Sequence, residues 1–178
     1  MKEVLSLGFQ EANIATLQGI HGWIKGVLSQ PHSALNNLSP CPYAKEALLK
    51  NEIKIFSTES SPKESLEWMM QNFESLKKRV VVLTCSASLL TSEETTEFVS
   101  SIRTSFKGQD LWLMYDHPDI SERVLDVDFS YGKEILFFIQ KLTDLSQAAQ
   151  LLMDKGYYKN WPADYFESVF TQREKSKP

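Results

Sequence analysis

The sequence has only two cysteines among its 178 residues, Cys41 and Cys85. Two cysteines are too few for a disulfide framework, which excludes the class of small disulfide-stabilised secreted domains, and we expect both thiols to be free. Histidine is also scarce, with three residues. Because no cysteines or histidines stand at the close spacing typical of zinc sites, a metal site would need ligands from distant parts of the chain.

Long apolar runs and basic stripes are also missing. No stretch approaches the roughly 18 apolar residues that span a bilayer, and the first residues lack the apolar core of a secretory signal. We therefore expect a cytoplasmic protein with no membrane partner. The formal net charge is -4, and lysine and arginine are dispersed. A surface of this sign repels a phosphate backbone, so we expect no nucleic-acid partner either.

The composition that remains, 42% hydrophobic and 24% charged, is typical of one globular domain. We predict a single α/β domain over residues 1–178, with an N-terminal helix and loop (1–40), a sheet core (41–155), and a C-terminal helix and tail (156–178). Hydrophobic periodicity predicts four strands, at 53–56, 80–83, 111–115 and 135–139. It predicts helices at 9–30, 61–78, 91–106, 143–153 and 163–173.

The order βαβαββα predicts how the four strands pair. Strand-helix-strand connections favour parallel pairing of the first three strands, and the fourth can pair antiparallel with the third. We therefore predict a four-stranded mixed sheet with helices on its faces.

Two local signals in the sequence concern the helices. Thr91-Ser-Glu-Glu94 is typical of a capping box that begins a helix. Gly19, Gly22 and Gly26 in the first helix indicate close packing or a break in that helix.

Cys41 stands between two prolines, Pro40 and Pro42, where a helix is predicted to begin. Proline suits the first helical turn, so Cys41 would be the capping residue, with the free amides of the following residues near its sulfur. Those amides and the helix dipole favour the thiolate, the form that is nucleophilic or binds metals. The alternative is a structural cysteine that caps the helix without being reactive.

The carboxyl ends of parallel strands form the rim where ligands usually bind. Cys85, Asp116 and His117 stand at predicted strand ends, and Cys41 would join them if its helix opens toward this rim. We therefore predict a catalytic site of Cys41, His117 and Asp116, with His117 as general base or thiolate partner. A metal site of Cys41, Cys85 and His117 is a weaker alternative, since a cysteine such as Cys85 is more often a buried core residue.

Two further segments carry candidate functional residues. The connection over 118–133 is long for paired strands, which is typical of a lid or binding loop. We expect its acidic residues to be solvated rather than to bind a cation, since they match no calcium loop; they are Asp119, Glu122, Asp126 and Asp128. Near the C-terminus stands an aromatic cluster, interpreted first as packing and second as a partner surface; it comprises Tyr157, Tyr158, Trp161, Tyr165 and Phe166.

The segment Cys41-Pro-Tyr-Ala followed by Lys-Glu-Ala-Leu-Leu resembles the active-site helix of glutaredoxins. That resemblance implies a thioredoxin-like order and a monothiol redox role, because the second cysteine position is Ala44. A resemblance over about 21–153 is to the bacterial family called domain of unknown function 1415. It is carried by Trp23-Ile-Lys-Gly-Val27, by Leu38, by Cys41-Pro-Tyr-Ala-Lys45, and by a strand that ends in His117-Pro118. This resemblance implies that Cys41 and His117 belong to one site.

The leading hypothesis is a thiol-based site, redox or nucleophilic, with Cys41 as nucleophile or soft ligand and His117 as its partner. The first alternative is a non-catalytic interaction or accessory module in which Cys41 is structural. The second is a metal-binding protein that uses Cys41, Cys85 and His117. The sequence identifies no cofactor and no substrate.

Overall fold

The structure is a computed structural model that describes residues 8–175, without the side chains of residues 168, 169 and 174. The strands are β1 (Phe9–Glu11), β2 (Ile53–Thr58), β3 (Val80–Cys85), β4 (Trp112–Asp116), β5 (Arg123–Val124), β6 (Val127–Asp128) and β7 (Ile135–Gln140). The helices are α1 (Ile14–Trp23), α2 (Ala44–Leu49), α3 (Pro62–Gln71), α4 (Ser92–Ser105), α5 (Leu142–Asp154), α6 (Ala163–Phe166) and α7 (Gln172–Glu174). A π-helical turn extends α1 over Ile24–Leu28, and another, Glu167–Thr171, joins α6 to α7.

The main sheet has five strands in the order β1-β2-β3-β7-β4, so the prediction of four strands was wrong. The additional strand is β1, which pairs antiparallel with β2 in a stretch predicted as the beginning of the first helix. The prediction of an α/β protein with a mixed sheet is confirmed, since β2 and β3 pair in parallel while the other pairings are antiparallel.

The predicted pairing of β3 with β4 was also wrong. Strand β7 lies between them and pairs antiparallel with both. Strands β2, β3 and β4 still run in the same direction, as the crossover argument predicted, but the long connection after β4 lets the chain return through the middle of the sheet. A central position suits β7, because its sequence Ile-Leu-Phe-Phe-Ile-Gln is apolar toward both faces of the sheet.

One face of the sheet, which we call the α3–α4 face, packs against helices α3 and α4. Alternate strand residues such as Phe56, Leu83 and Phe137 form this core with Leu66 and Val99 from the two helices. These side chains are all nearly inaccessible to solvent. This half of the molecule is the larger hydrophobic core of the protein.

The opposite face, which we call the cavity face, presents the intervening strand residues, including Ile55, Val82 and Leu136. Ile20 and Ile24 of the α1 segment pack on it. The two faces follow from the alternation of side chains along each strand. The cover of the cavity face is assembled from elements that are far apart in the sequence.

Local signals in the sequence act as predicted at the beginning of α4. The Thr91 hydroxyl accepts a hydrogen bond from the Glu94 amide, and the Glu94 carboxylate accepts one from the Thr91 amide. In α1, Gly19 allows a close approach, since a Cβ there would stand 2.7 Å from the Tyr131 hydroxyl. No helix within residues 8–175 is long and apolar enough to cross a membrane.

Candidate functional site

A cavity of about 420 Å³ lies between the cavity face of the sheet and the segments that cover it. Val82 and Met114 of the sheet line one side, and Trp23 of α1, Ala148 of α5 and Trp161 of the C-terminal segment line others. A volume of this size falls in the range of roughly 300–1,000 Å³ that is typical of small-molecule sites. We call it the central cavity.

Cys41 lines the central cavity. Contrary to the prediction, it is not the capping residue of a helix. Helix α2 begins at Ala44, and Tyr43 is its N-terminal capping position. Cys41 lies in the preceding turn, where its amide donates to the Leu28 carbonyl at 2.9 Å and its carbonyl accepts from the Ala44 amide at 3.1 Å. The two-proline segment therefore makes a turn anchored to the α1 segment before the chain becomes helical.

The environment of the Cys41 thiol raises its pKa. Burial is the largest cause, while the backbone amides of Ala44 and Tyr43 near the sulfur act in the opposite direction. The amides predicted to stabilise a thiolate are thus present, but desolvation outweighs them. Cys41 is therefore a protonated thiol near neutral pH.

Asp116, at the end of β4, faces the same cavity and is 5% exposed. The Tyr131 amide donates a hydrogen bond to its Oδ2 at 3.1 Å. Burial raises the pKa of Asp116 to about 6, against the smaller lowering effect of the Tyr131 amide. The structure therefore brings Cys41 and Asp116 to one cavity, and Asp116 changes its charge close to neutral pH.

His117 lies on the other side of the sheet. Because successive strand residues point to opposite faces, the side chain after Asp116 turns toward the α3–α4 face. There His117 is inaccessible to solvent, its Nε2 lies 3.1 Å from the Leu90 carbonyl oxygen, and its Nδ1 accepts from the Asp119 amide at 3.1 Å. These partners require Nε2 to carry the proton. The structure therefore does not bring His117 together with Cys41.

Cys85 belongs to the core of the α3–α4 face and is 3% exposed. Burial, with a smaller contribution from Glu134, raises the pKa of its thiol to about 12. Within the described residues, no three histidine, cysteine or acidic side chains are grouped to hold a metal ion. The structure therefore does not group Cys41, Cys85 and His117, the three residues of the predicted metal site, whereas the interpretation of Cys85 as a buried core thiol is confirmed.

The long connection after β4 is a wall of the cavity rather than a free loop. It contains the β5–β6 hairpin, and the Trp23 indole donates to the Phe129 carbonyl at 3.1 Å. Glu122, predicted to be solvated, lines the cavity and accepts a hydrogen bond from the Tyr165 hydroxyl at 3.0 Å. The connection is thus held at two points by distant segments.

The C-terminal aromatic segment closes another side of the cavity. Tyr158 and Trp161 stack edge to face with centroids 4.8 Å apart, and Trp161 also contacts the Tyr165 ring. The buried Tyr157 hydroxyl donates to the Pro40 carbonyl at 2.7 Å, which connects this segment to the turn that carries Cys41. The interpretation of these residues as packing is confirmed.

Three arginines that the sequence analysis did not single out also line the cavity: Arg79, Arg103 of α4 and Arg173 of α7. Arg79 pairs with Glu52 and Asp144. The Arg103 Nε donates to the Leu113 carbonyl at 2.8 Å, and its guanidinium lies over the Trp112 ring at 4.2 Å from the centroid. Burial and, to a lesser extent, the charge of Arg173 lower the pKa of Arg103 to about 10. Arg103 and Arg173 each lie near the end of a helix, a common position for a basic residue, so the sequence gives no signal for this role.

A scan against models of known protein families finds no match, and searches of curated proteins and of solved structures return no significant match either. The resemblances to glutaredoxins and to the domain of unknown function 1415 therefore stay predictions. The geometry of the central cavity is the basis for the functional argument.

Proposed function

We propose that this protein is a binding module that encloses a small, mainly apolar molecule in the central cavity. The observation that carries the proposal is the cavity itself: about 420 Å³, walled by sheet, helices and aromatic side chains. The cavity is partly open to solvent and mainly apolar. A concave, mainly apolar site of this size is the usual form of a small-molecule site.

The walls indicate the chemistry of that occupant. Trp23, Met114, Phe138 and Trp161 offer apolar and aromatic surface, and transfer of an apolar molecule from water to such surface is favourable at roughly 25 cal/mol per Å². The exposed surface of the walls is mainly apolar, although charged side chains also line the cavity. An uncharged polar solute would leave most of this surface without a matching partner, so an apolar body fits best.

A second candidate function is thiol chemistry at Cys41 on the bound molecule. It is favoured by one observation, that the cysteine and Asp116 line the same cavity. His117 does not support this candidate, because both of its ring nitrogens are hydrogen-bonded on the α3–α4 face. The raised pKa of the Cys41 thiol also argues for a contact residue rather than a nucleophile.

The test uses 1-aminoanthracene, a small neutral dye whose fluorescence increases in apolar surroundings. We expect saturable binding by the wild-type protein and energy transfer from the cavity-lining tryptophans. The variant Ala148→Phe places a ring into the cavity from α5, and we expect it to weaken dye binding at least 10-fold. The matched control is Gln147→Phe, which adds the same ring at the neighbouring exposed position of α5.

The two variants separate the cavity from the rest of the surface. If the wild-type protein does not bind the dye, the proposal is contradicted. Equal binding by Ala148→Phe and Gln147→Phe, with both variants folded by circular dichroism, would place the dye elsewhere and would also contradict it.

A further inference from the structure

We propose that the central cavity couples ligand binding to the uptake of a proton: an uncharged ligand that fills the cavity favours the protonated form of Asp116, so the affinity for the ligand decreases as this carboxyl ionises. The inference rests on the proposed function and adds its regulation by pH. Its starting observation is that a carboxyl group, 5% exposed, stands on the wall of a mainly apolar cavity.

Asp116 lies among apolar groups of the cavity face. Met114 stands two residues earlier on β4, so the two side chains share one face of the strand, and Leu136 of β7 lies opposite Asp116 in the sheet. A ligand that covers this apolar surface displaces the water next to the carboxyl. Loss of water costs an ionised carboxyl much more free energy than a neutral one. The ligand therefore binds more tightly to the protonated form.

Both protonation states of Asp116 are accessible close to neutral pH. Burial, the largest effect, raises the pKa of Asp116 to about 6, while the backbone amides of Tyr131 and Gly132 act in the opposite direction. The Tyr131 amide donates to Oδ2 at 3.1 Å. Because binding and protonation are linked, a ligand that prefers the neutral carboxyl raises this pKa further, and the ligand and the proton strengthen each other's binding by the same factor.

Within the described residues, the charges that act on Asp116 are negative. After burial, Glu122 and Asp128 contribute to its raised pKa. Tyr165, which donates to Glu122, is uncharged because burial raises the pKa of its hydroxyl. The other ionisable side chains on the walls are not among the groups that shift the pKa of Asp116; they include Cys41, Arg79, Arg103, Asp144 and Arg173. An uncharged ligand brings no compensating charge to the ionised form.

The experiment measures the dissociation constant of 1-aminoanthracene from pH 5 to pH 8.5, a range in which the dye stays uncharged. For the wild type we expect the affinity at pH 5 to be about 10-fold higher than at pH 8.5, because a rise of about one unit in the pKa of Asp116 on binding corresponds to a factor of 10. Decanol, which has no group that ionises in this range, should displace the dye with the same pH dependence.

The variant Asp116→Asn removes the titrating group and keeps the shape of the side chain. We expect its affinity for the dye to change by less than about 2-fold over the same range. The matched control is Asp126→Asn, at the exposed tip of the β5–β6 hairpin, and we expect it to keep the wild-type pH dependence. A second measurement is the infrared absorption of protonated carboxyl groups at pH 7, which decanol should increase in the wild type but not in Asp116→Asn.

The possible failures are distinguishable. If the wild type binds neither the dye nor decanol at any pH, the proposed function is wrong. If both bind with an affinity that does not change with pH, the function stands and this inference is overturned. Tighter binding at high pH, or a wild-type pH dependence that persists in Asp116→Asn, would also overturn it. Should Asp116→Asn fail to fold, an unchanged infrared absorption of the wild type on adding decanol would overturn the inference.

Discussion

Replacing Asp116 by asparagine tests whether the ionised Asp116 carboxylate lowers the free energy of unfolding. Burial raises the pKa of Asp116 from 3.8 to about 6. Each unit corresponds to about 1.4 kcal/mol, so ionised Asp116 destabilises the folded state by on the order of 3 kcal/mol. Asparagine removes the charge but offers one acceptor instead of two, which costs about 1 kcal/mol. We therefore expect Asp116→Asn to raise the free energy of unfolding at pH 7.5 by about 2 kcal/mol.

The sign of the pH dependence follows from the raised pKa. The folded state binds the proton more tightly than the unfolded state, so the stabilisation is fully present below the unfolded pKa of about 3.9 and is lost as the pH rises through about 6. Between pH 7.5 and pH 4.5, wild-type protein should therefore gain about 2 kcal/mol relative to Asp116→Asn. At the lower pH the two proteins should have similar stability.

The assay is urea unfolding followed by tryptophan fluorescence at pH 7.5, 6 and 4.5. Asp126→Asn, at the exposed tip of the β5–β6 hairpin, is the matched control, and we expect it to change stability by less than about 0.5 kcal/mol. A variant Asp116→Asn that is less stable than wild type at pH 7.5, or a difference that does not change with pH, would refute the reasoning.

Two further predictions test the roles assigned to individual side chains. Because burial raises the pKa of Cys41, we expect iodoacetamide to alkylate Cys41 more slowly than free cysteine at pH 7, and the alkylation rate to increase with rising pH. The variant His117→Ala should leave the alkylation rate of Cys41 unchanged. A clearly slower alkylation in this variant would instead indicate that the Cys41 thiol is paired with the His117 imidazole. Thr91→Ala removes the side-chain acceptor for the Glu94 amide, so we expect a loss of about 1 kcal/mol in urea unfolding. The comparison for Thr91→Ala is Thr104→Ala on the exposed side of the same helix; equal effects of the two would contradict a specific capping role.

Much of the local structure was predictable because it depends on neighbouring residues. The capping box at Thr91 and Glu94 begins α4 as predicted, since its two hydrogen bonds join residues three apart. The apolar runs of β3 and β7 were recognised as buried strands. The short strand β1 was not recognised, because three residues are too few to show the alternation of a strand, and the helical periodicity of the residues that follow extends over them.

The site was only partly predictable. The turn at Cys41 and the strand end at Asp116 both line the central cavity, whereas His117, expected at the same site, lies on the α3–α4 face. The predicted strand at 111–115 ends one residue before the observed end of β4 at Asp116. With the correct end, the alternation of side chains along the strand would have predicted that Asp116 and His117 point to opposite faces of the sheet. The positions of Arg103 and Arg173 could not be predicted, since each lies near the end of a helix where a basic residue is ordinary.

The sequence by itself determined the four longer strands of the sheet, most of the helices and which strands run in the same direction, because periodicity, capping and crossover connections act over short distances along the chain. Only the tertiary structure decided that β7 enters between β3 and β4, which face of the sheet each candidate residue occupies, and that a cavity remains under the aromatic segment. These features depend on packing between elements that are far apart in the sequence; the Tyr157 hydroxyl and the Pro40 carbonyl, for example, are 117 residues apart. No local sequence pattern predicts such contacts, because many different residues elsewhere in the chain could serve as the apolar or hydrogen-bonding partner of a given side chain.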